Sequence, residues 1–169
     1  MRFVIRFSVI CLLVALLSAG SAFAQRNSLE IRGDVQNPSS WSVDDVKKQF
    51  AEEILTLKNV FAREALTGIP LISLLKSAAL KTEETNKHHE LSFIVILEAY
   101  DGYRAYFTFA ELTISEKENP VMLVWEEDGK PLPSRERPFR LFSTDSDRRI
   151  RGITSITFVD GIKLADNLK

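Results

Sequence analysis

The chain has 169 residues, 22 basic and 23 acidic side chains, and a net charge of −1. That balance, with no basic tract and no interleaving of aromatic and basic residues, argues against a nucleic-acid partner. The single cysteine, Cys11, excludes an intrachain disulfide, an iron–sulfur cluster, a C-x-x-C-H haem attachment and a multi-thiolate metal site.

Arg2 and Arg6 open the chain, an apolar run extends from Ser8 to Leu17, and small residues end in Ala22-Phe23-Ala24. Basic, apolar, then A-x-A is the order of a cleavable signal peptide over residues 1–24. The apolar run falls short of the roughly 20 residues a spanning helix needs. The expectation is one exported domain over residues 25–169, periplasmic or extracellular, with no stable membrane anchor after cleavage. Cys11 lies inside the apolar run and leaves with the signal. The exported domain then has no thiol nucleophile and no thiolate ligand.

Leu29 to Val35 reads as a first strand, stopped by Asn37-Pro38. Ser42, with Asp45 three residues on, forms a capping-box pattern for a short helix. Asp44 and Asp45 fill its first turn, and Val43, Val46 and Phe50 share its buried face. Glu53 to Val60 reads as a second strand. Gly68-Ile69-Pro70 is expected to open a helix with Pro70 at its first position. Leu71, Leu74, Leu75 and Ala78 then recur at i, i+3, i+4, i+7, a core-facing stripe that ends near Leu80. Lys81 to Glu90 is polar and aperiodic, and reads as an exposed, mobile connection.

Leu91 to Leu97 is nearly all apolar and is expected as a strand buried on both faces. Asp101-Gly102 turns the chain into an alternating segment, Tyr103 to Phe109, which completes a hairpin. Ala110 to Leu112 reads as a helical turn. Val121 to Trp125 is a further buried strand, followed by a turn at Asp128-Gly129. Pro131, Pro133 and Pro138 stiffen the next stretch. Phe139 to Phe142 and Ile153 to Val159 are the last strands. About seven strands with two or three short helices, in no repeating βαβ order, give an α+β class.

Six arginines and no lysine lie between Ser134 and Ile153: Arg135, Arg137, Arg140, Arg148, Arg149 and Arg151. Guanidinium forks suit phosphate or carboxylate oxygens, and Ser143, Thr144 and Ser146 add donors, so one reading is an anion site. The other is a surface of ion pairs with Glu136, Asp145 and Asp147, above all for Arg135 and Arg137. Asp145, Asp147 and Asp160 lack a calcium-loop pattern. His88 and His89 lie in the polar connection, and both are expected to be solvated. No metal site and no catalytic residue is assigned. Phe93, Phe107, Phe109, Trp125, Phe139 and Phe158 read as core.

Five segments stand in a telling order: LEIRGDVQNP with WSVDDV, TGIPLISLLKSAAL, EAYDGYRAYFTFAEL, NPVMLVWEEDGKPLP, and PFRLFSTDSDRRIRGITSITFVD. From about Leu29 to Asp160 the chain resembles the molybdopterin-binding domain of the sulfite oxidase family. The likeness is greatest to the short exported proteins built from that domain alone. The resemblance implies a mixed α+β domain with a pterin cleft. In the family's enzymes a cysteine between the second strand and the Gly68-Ile69-Pro70 start binds molybdenum. Here that interval reads LTLKNVFAREALTGIP, with no cysteine, and its hard or cationic side chains cannot replace a soft thiolate. The family's phosphate-contacting role would fall on Arg148, Arg149 and Arg151, flanked by Ser143 and Thr144.

The functional expectation is an exported, non-catalytic binding domain without a cofactor, whose cleft takes a small anionic ligand or a partner segment. Two alternatives stand beside it. One is an oxidoreductase holding molybdopterin through dithiolene and phosphate alone. The other is a structural or assembly partner of an envelope complex. A cofactor-type cleft requires a mouth between residues 60–68 and the Ser143 to Arg151 loop.

Overall fold

The computed structural model describes residues 27–59, 64–83, 85–115, 119–143 and 150–168. They form one α+β domain around a mixed, curled sheet in the shape of a half-barrel. The strands are β1 (Ser28–Gly33), β2 (Ser39–Ser42), β3 (Leu55–Asn59), β4 (Glu64–Pro70), β5 (Phe93–Ala99), β6 (Arg104–Thr108), β7 (Met122–Glu127), β8 (Lys130–Pro131), β9 (Phe139–Phe142) and β10 (Ile150–Asp160). Among the described residues the helices are α1 (Val43–Gln49), α2 (Leu71–Ser77), α3 (Phe109–Ser115) and α4 (Gly161–Asp166).

A seven-strand path runs β2-β1-β10-β9-β7-β4-β3, and β5 joins β6 to β10. β10 is the hub. Its start pairs with β9, and its remainder pairs antiparallel with β5 and parallel with β1. Register shifts between Arg151 and Ile153, and between Ile153 and Ser155, bend the strand where it changes partners.

The capping box forms as expected. The Ser42 side chain accepts from the Asp45 N–H, and the Asp45 carboxylate accepts from the Ser42 N–H, so two orphan donors at the start of α1 are satisfied. Val46 and Phe50 are buried beneath it, with Val43 packed partly against the core. The α2 stripe also holds, with Leu71, Leu74, Leu75 and Ala78 all buried.

Three readings change. Residues 64–70 form β4, not the approach to a helix, and Pro70 is the N-cap residue of α2. β4 is held between β3 and β7, with a register shift at Thr67/Gly68. A Cβ on Gly68 would overlap the Leu123 carbonyl, so glycine there permits the close approach of β7. Next, β5 alternates buried and half-buried positions and has only one fully covered face. Strands covered on both faces are β9 and most of β7. Leu123 and Trp125 enter the main core, while Met122 and Val124 join Leu66, Leu132 and Phe142 in a second cluster. Finally, the polar connection is not uniformly exposed, because His89 is buried.

Candidate functional site

Of the anion-site residues read from the sequence, Ser143 and Arg151 are described; Thr144, Arg148 and Arg149 lie outside the described residues, as do Asp145, Ser146 and Asp147. Ser143 is half-buried just past β9, and Arg151 stands opposite Arg140 in the β9–β10 ladder. Both arginines turn to one buried carboxylate, Glu136. Arg140 Nη1 donates to Glu136 Oε2 at 2.8 Å and to Glu127 Oε2 at 2.7 Å. Arg151 Nε lies 3.4 Å, and Arg135 Nε 3.7 Å, from Glu136 Oε1. The ion-pair reading therefore applies to these three. A low-dielectric seat for Glu136 requires such pairing.

β4 and β9 both run antiparallel to β7, so Gly68, Val124 and Arg140 stand level across the sheet, with Arg151 beside Arg140 on β10. Residues 60–63 and 144–149 of the expected mouth lie outside the described residues. Arg151 borders a shallow cleft of about 260 Å³ with Ala99, Asp101, Tyr103 and Ile150.

In the interval where the family's enzymes carry the metal ligand, β3 and β4 pair antiparallel from Leu55↔Gly68 to Asn59↔Glu64. The interval contains no sulfur donor, so its residues do not fit a thiolate-held molybdenum. Among the described residues no cluster of three His, Cys, Asp or Glu side chains is placed to hold a metal ion.

A second cleft, of about 340 Å³, opens between α1 and the proline-stiffened segment after β8. Val43, Pro131, Pro138 and Trp125 give it apolar walls, and Lys47, Glu126, Asp44 and Arg137 its charges. Lys47 Nζ lies 5.8 Å over the Trp125 ring and 4.0 Å from Glu126 Oε2. Asp44 lies in the first turn of α1, where the exposed N–H ends of the helix favour a negative charge. Arg137 Nε donates to the Leu132 carbonyl at 2.7 Å, and its guanidinium has no carboxylate within ion-pair distance among the described residues. Trp125 is only 3 % exposed, and its Nε1–H is buried with no hydrogen-bond partner. It is the one such side-chain atom among the described residues. Trp41, by contrast, donates its Nε1–H to Ser39 Oγ at 2.8 Å.

The sequence reading placed Trp125 in the core, which is correct, but gave it no polar role. For Arg137 the sequence left an anion site and surface ion pairs both open, with ion pairs slightly ahead; its Nε donates to a backbone carbonyl. The signal available was the run of prolines from Pro131 to Pro138, which fixes a wall beside the tryptophan strand.

A third cluster is structural. His89 Nδ1 accepts from the Glu83 N–H at 2.9 Å, so its proton sits on Nε2, which donates to Asp160 Oδ2 at 3.1 Å. Asp160 Oδ1 accepts from the N–H groups of Ile162 and Lys163 at the start of α4, and Lys163 Nζ lies 3.3 Å from Oδ2. The Asp160 N–H donates to Asp34 Oδ2. Burial pushes the Asp160 carboxyl upward, but the hydrogen bonds from His89, Lys163 and Ile162 outweigh it and hold the group below its ordinary value. His88, as expected, is exposed. This node ties three segments together.

No helix among the described residues is long and apolar enough to cross a membrane. No protein-family model matches the chain, and no curated protein matches it.

Proposed function

We propose that this chain is an exported, non-catalytic binding domain on the fold of the sulfite oxidase molybdopterin-binding domain, with the Trp125 cleft as its ligand seat. The observation that carries the reading is the cleft itself, large enough for a small ligand and walled by Val43, Trp125, Pro131 and Pro138 with charged side chains beside them. The sheet order and the absence of a sulfur donor between Leu55 and Pro70 support the fold and the non-catalytic part of the reading. The arginines around Glu136 serve this domain as structural ion pairs.

The test uses the purified chain. Small apolar compounds of neutral, cationic and anionic type are titrated while the indole N–H resonances of Trp41 and Trp125 are followed, with Trp125→Phe assigning the signal. The reading expects the Trp125 resonance to move and that of Trp41 to stay. A panel that moves neither removes the cleft as a ligand seat. Stoichiometric molybdenum in the purified protein overturns the non-catalytic reading.

A further inference from the structure

We propose that the outer edge of β6 is an interface whose occupant is the β6 edge of a second copy of this chain, paired antiparallel about Tyr106. The inference is independent of the Trp125 cleft and starts from the hairpin. The Ala99 N–H donates to the Tyr103 carbonyl at 2.9 Å, so these two residues face each other through a backbone hydrogen bond. Bonded and non-bonded pairs then alternate along the antiparallel ladder. Leu97↔Ala105 and Val95↔Phe107 exchange the bonds between β5 and β6, and the backbone groups of Arg104, Tyr106 and Thr108 point away from β5. Among the described residues β6 pairs with β5 alone. The outward N–H groups of Arg104, Tyr106 and Thr108, and the carbonyls of Arg104 and Tyr106, have no backbone partner there.

Such an edge is a template for another strand, and folded proteins guard it with short strands, lysines or prolines. The two ends of the seven-strand path are guarded: β2 has four residues, and β3 carries the exposed Lys58. β6 has neither lysine nor proline, and its one cation, Arg104, is neutralised by Glu98 at 2.9 Å on its own sheet. All three tyrosines of the chain, Tyr100, Tyr103 and Tyr106, lie on this hairpin and are about half exposed. Exposed tyrosines gathered in one place are the composition of a protein interface.

The charges and the strand length select the occupant. A two-fold axis at Tyr106 sets Tyr106 of one copy against Tyr106 of the other, and Arg104 against Thr108. The two Tyr106 backbones exchange two hydrogen bonds, and no like charges meet. Ile96 stands level with Tyr106 on β5, so the aromatic pair extends into one stripe across both sheets. An axis at Arg104 would oppose two guanidinium groups, and an axis at Thr108 would run the pairing into α3. Tyr106 is the centre that remains.

The experiment follows the purified chain across a concentration series by sedimentation velocity and by amide hydrogen exchange read residue by residue. The expected result is a monomer–dimer equilibrium. The outward amides of Arg104, Tyr106 and Thr108 slow as the dimer fills, while the inward amides of Ala105 and Phe107 are slow at every concentration. Tyr106→Lys sets two ammonium groups face to face and is expected to weaken association at least about tenfold, while Thr56→Lys on the β3 edge leaves it unchanged. A chain that stays monomeric throughout overturns the proposal. So does a dimer whose Arg104 and Tyr106 amides remain fast, which assigns the association to another surface. A monomer in which those amides slow only with an added capped peptide of alternating threonine and valine overturns the second copy as occupant and gives the edge to a foreign strand. The exchange measurement on the unaltered chain needs no variant, so a folding defect in Tyr106→Lys leaves the proposal open to refutation.

Discussion

Replacing His89 with leucine separates a buried structural histidine from a solvated one. Leucine keeps most of the side-chain volume but removes two hydrogen bonds. The first is the Nε2–H to the Asp160 carboxylate, and bonds to charged groups contribute about 1.5–3 kcal/mol. The second is the acceptor for the partly buried Glu83 N–H, with a contribution of about 1 kcal/mol. Together they amount to roughly 2–4 kcal/mol, which for a domain of this size lowers Tm by about 5–15 °C. The neighbouring His88 is the internal control. It is exposed and has a left-handed backbone with φ of 62°. His88→Asn keeps a residue that tolerates that conformation, so its effect stays within about 0.5 kcal/mol. Thermal unfolding followed by circular dichroism measures both. Equal midpoints for the two variants would show that the buried node contributes nothing and would refute the reasoning.

Three further outcomes are expected. Asp160→Asn must turn an amide N–H₂ toward either His89 Nε2–H or the α4 N–H groups, all of which donate, so it destabilises the chain at neutral pH. Because the Asp160 carboxyl sits below its ordinary value of 3.8, its contribution is complete above that value and is lost as pH falls through the folded-state value. The gap in urea midpoint between parent and variant should therefore close in acid, and a gap independent of pH sinks the argument. Glu136→Ala leaves the buried Arg140 guanidinium with Glu127 alone and costs about 3–5 kcal/mol, with Glu136→Gln recovering part of it; a neutral result in urea unfolding would contradict the buried pairing. Gly68→Ala forces a methyl group against the Leu123 carbonyl and costs at least about 1–3 kcal/mol, so an unchanged urea midpoint would disprove the close β4–β7 approach.

Features set by residues near each other in the chain were legible in the sequence. The Ser42–Asp45 box closes over three residues, the Asp101-Gly102 turn joins adjacent strands, and the α2 stripe repeats every three or four residues. Features set by distant partners were not. β4 carries a glycine and a proline, both poor strand residues, and is held in the sheet by β7 more than 50 residues later. Leu91 to Leu97 and Val121 to Trp125 are equally apolar, and periodicity alone does not tell which has a second layer over it. His89 sits in one of the most polar stretches of the chain, and its partner Asp160 lies 71 residues away. Arg137 lines a cleft while Arg135, Arg140 and Arg151 turn to Glu136, a difference that arginine spacing does not encode.

This domain closes its buried polar groups even across long stretches of chain: Arg140 reaches Glu127, His89 reaches Asp160, and the Asp160 N–H reaches Asp34. Against that economy the unpaired Trp125 donor is informative, and Trp125→Phe tests whether it is a packing accident. A buried N–H without a partner costs about 1–3 kcal/mol, so phenylalanine sheds a penalty while losing part of the ring volume. The two effects oppose each other, and the ligand-free variant should unfold within about 1 kcal/mol of the parent, well short of a core truncation. A compound that moves the Trp125 resonance should also raise the thermal midpoint of the parent, in the manner of any ligand that binds only the folded state. A loss of about 3–5 kcal/mol in the ligand-free variant, the size of a core truncation, would refute the view that the unpaired donor carries a penalty phenylalanine sheds.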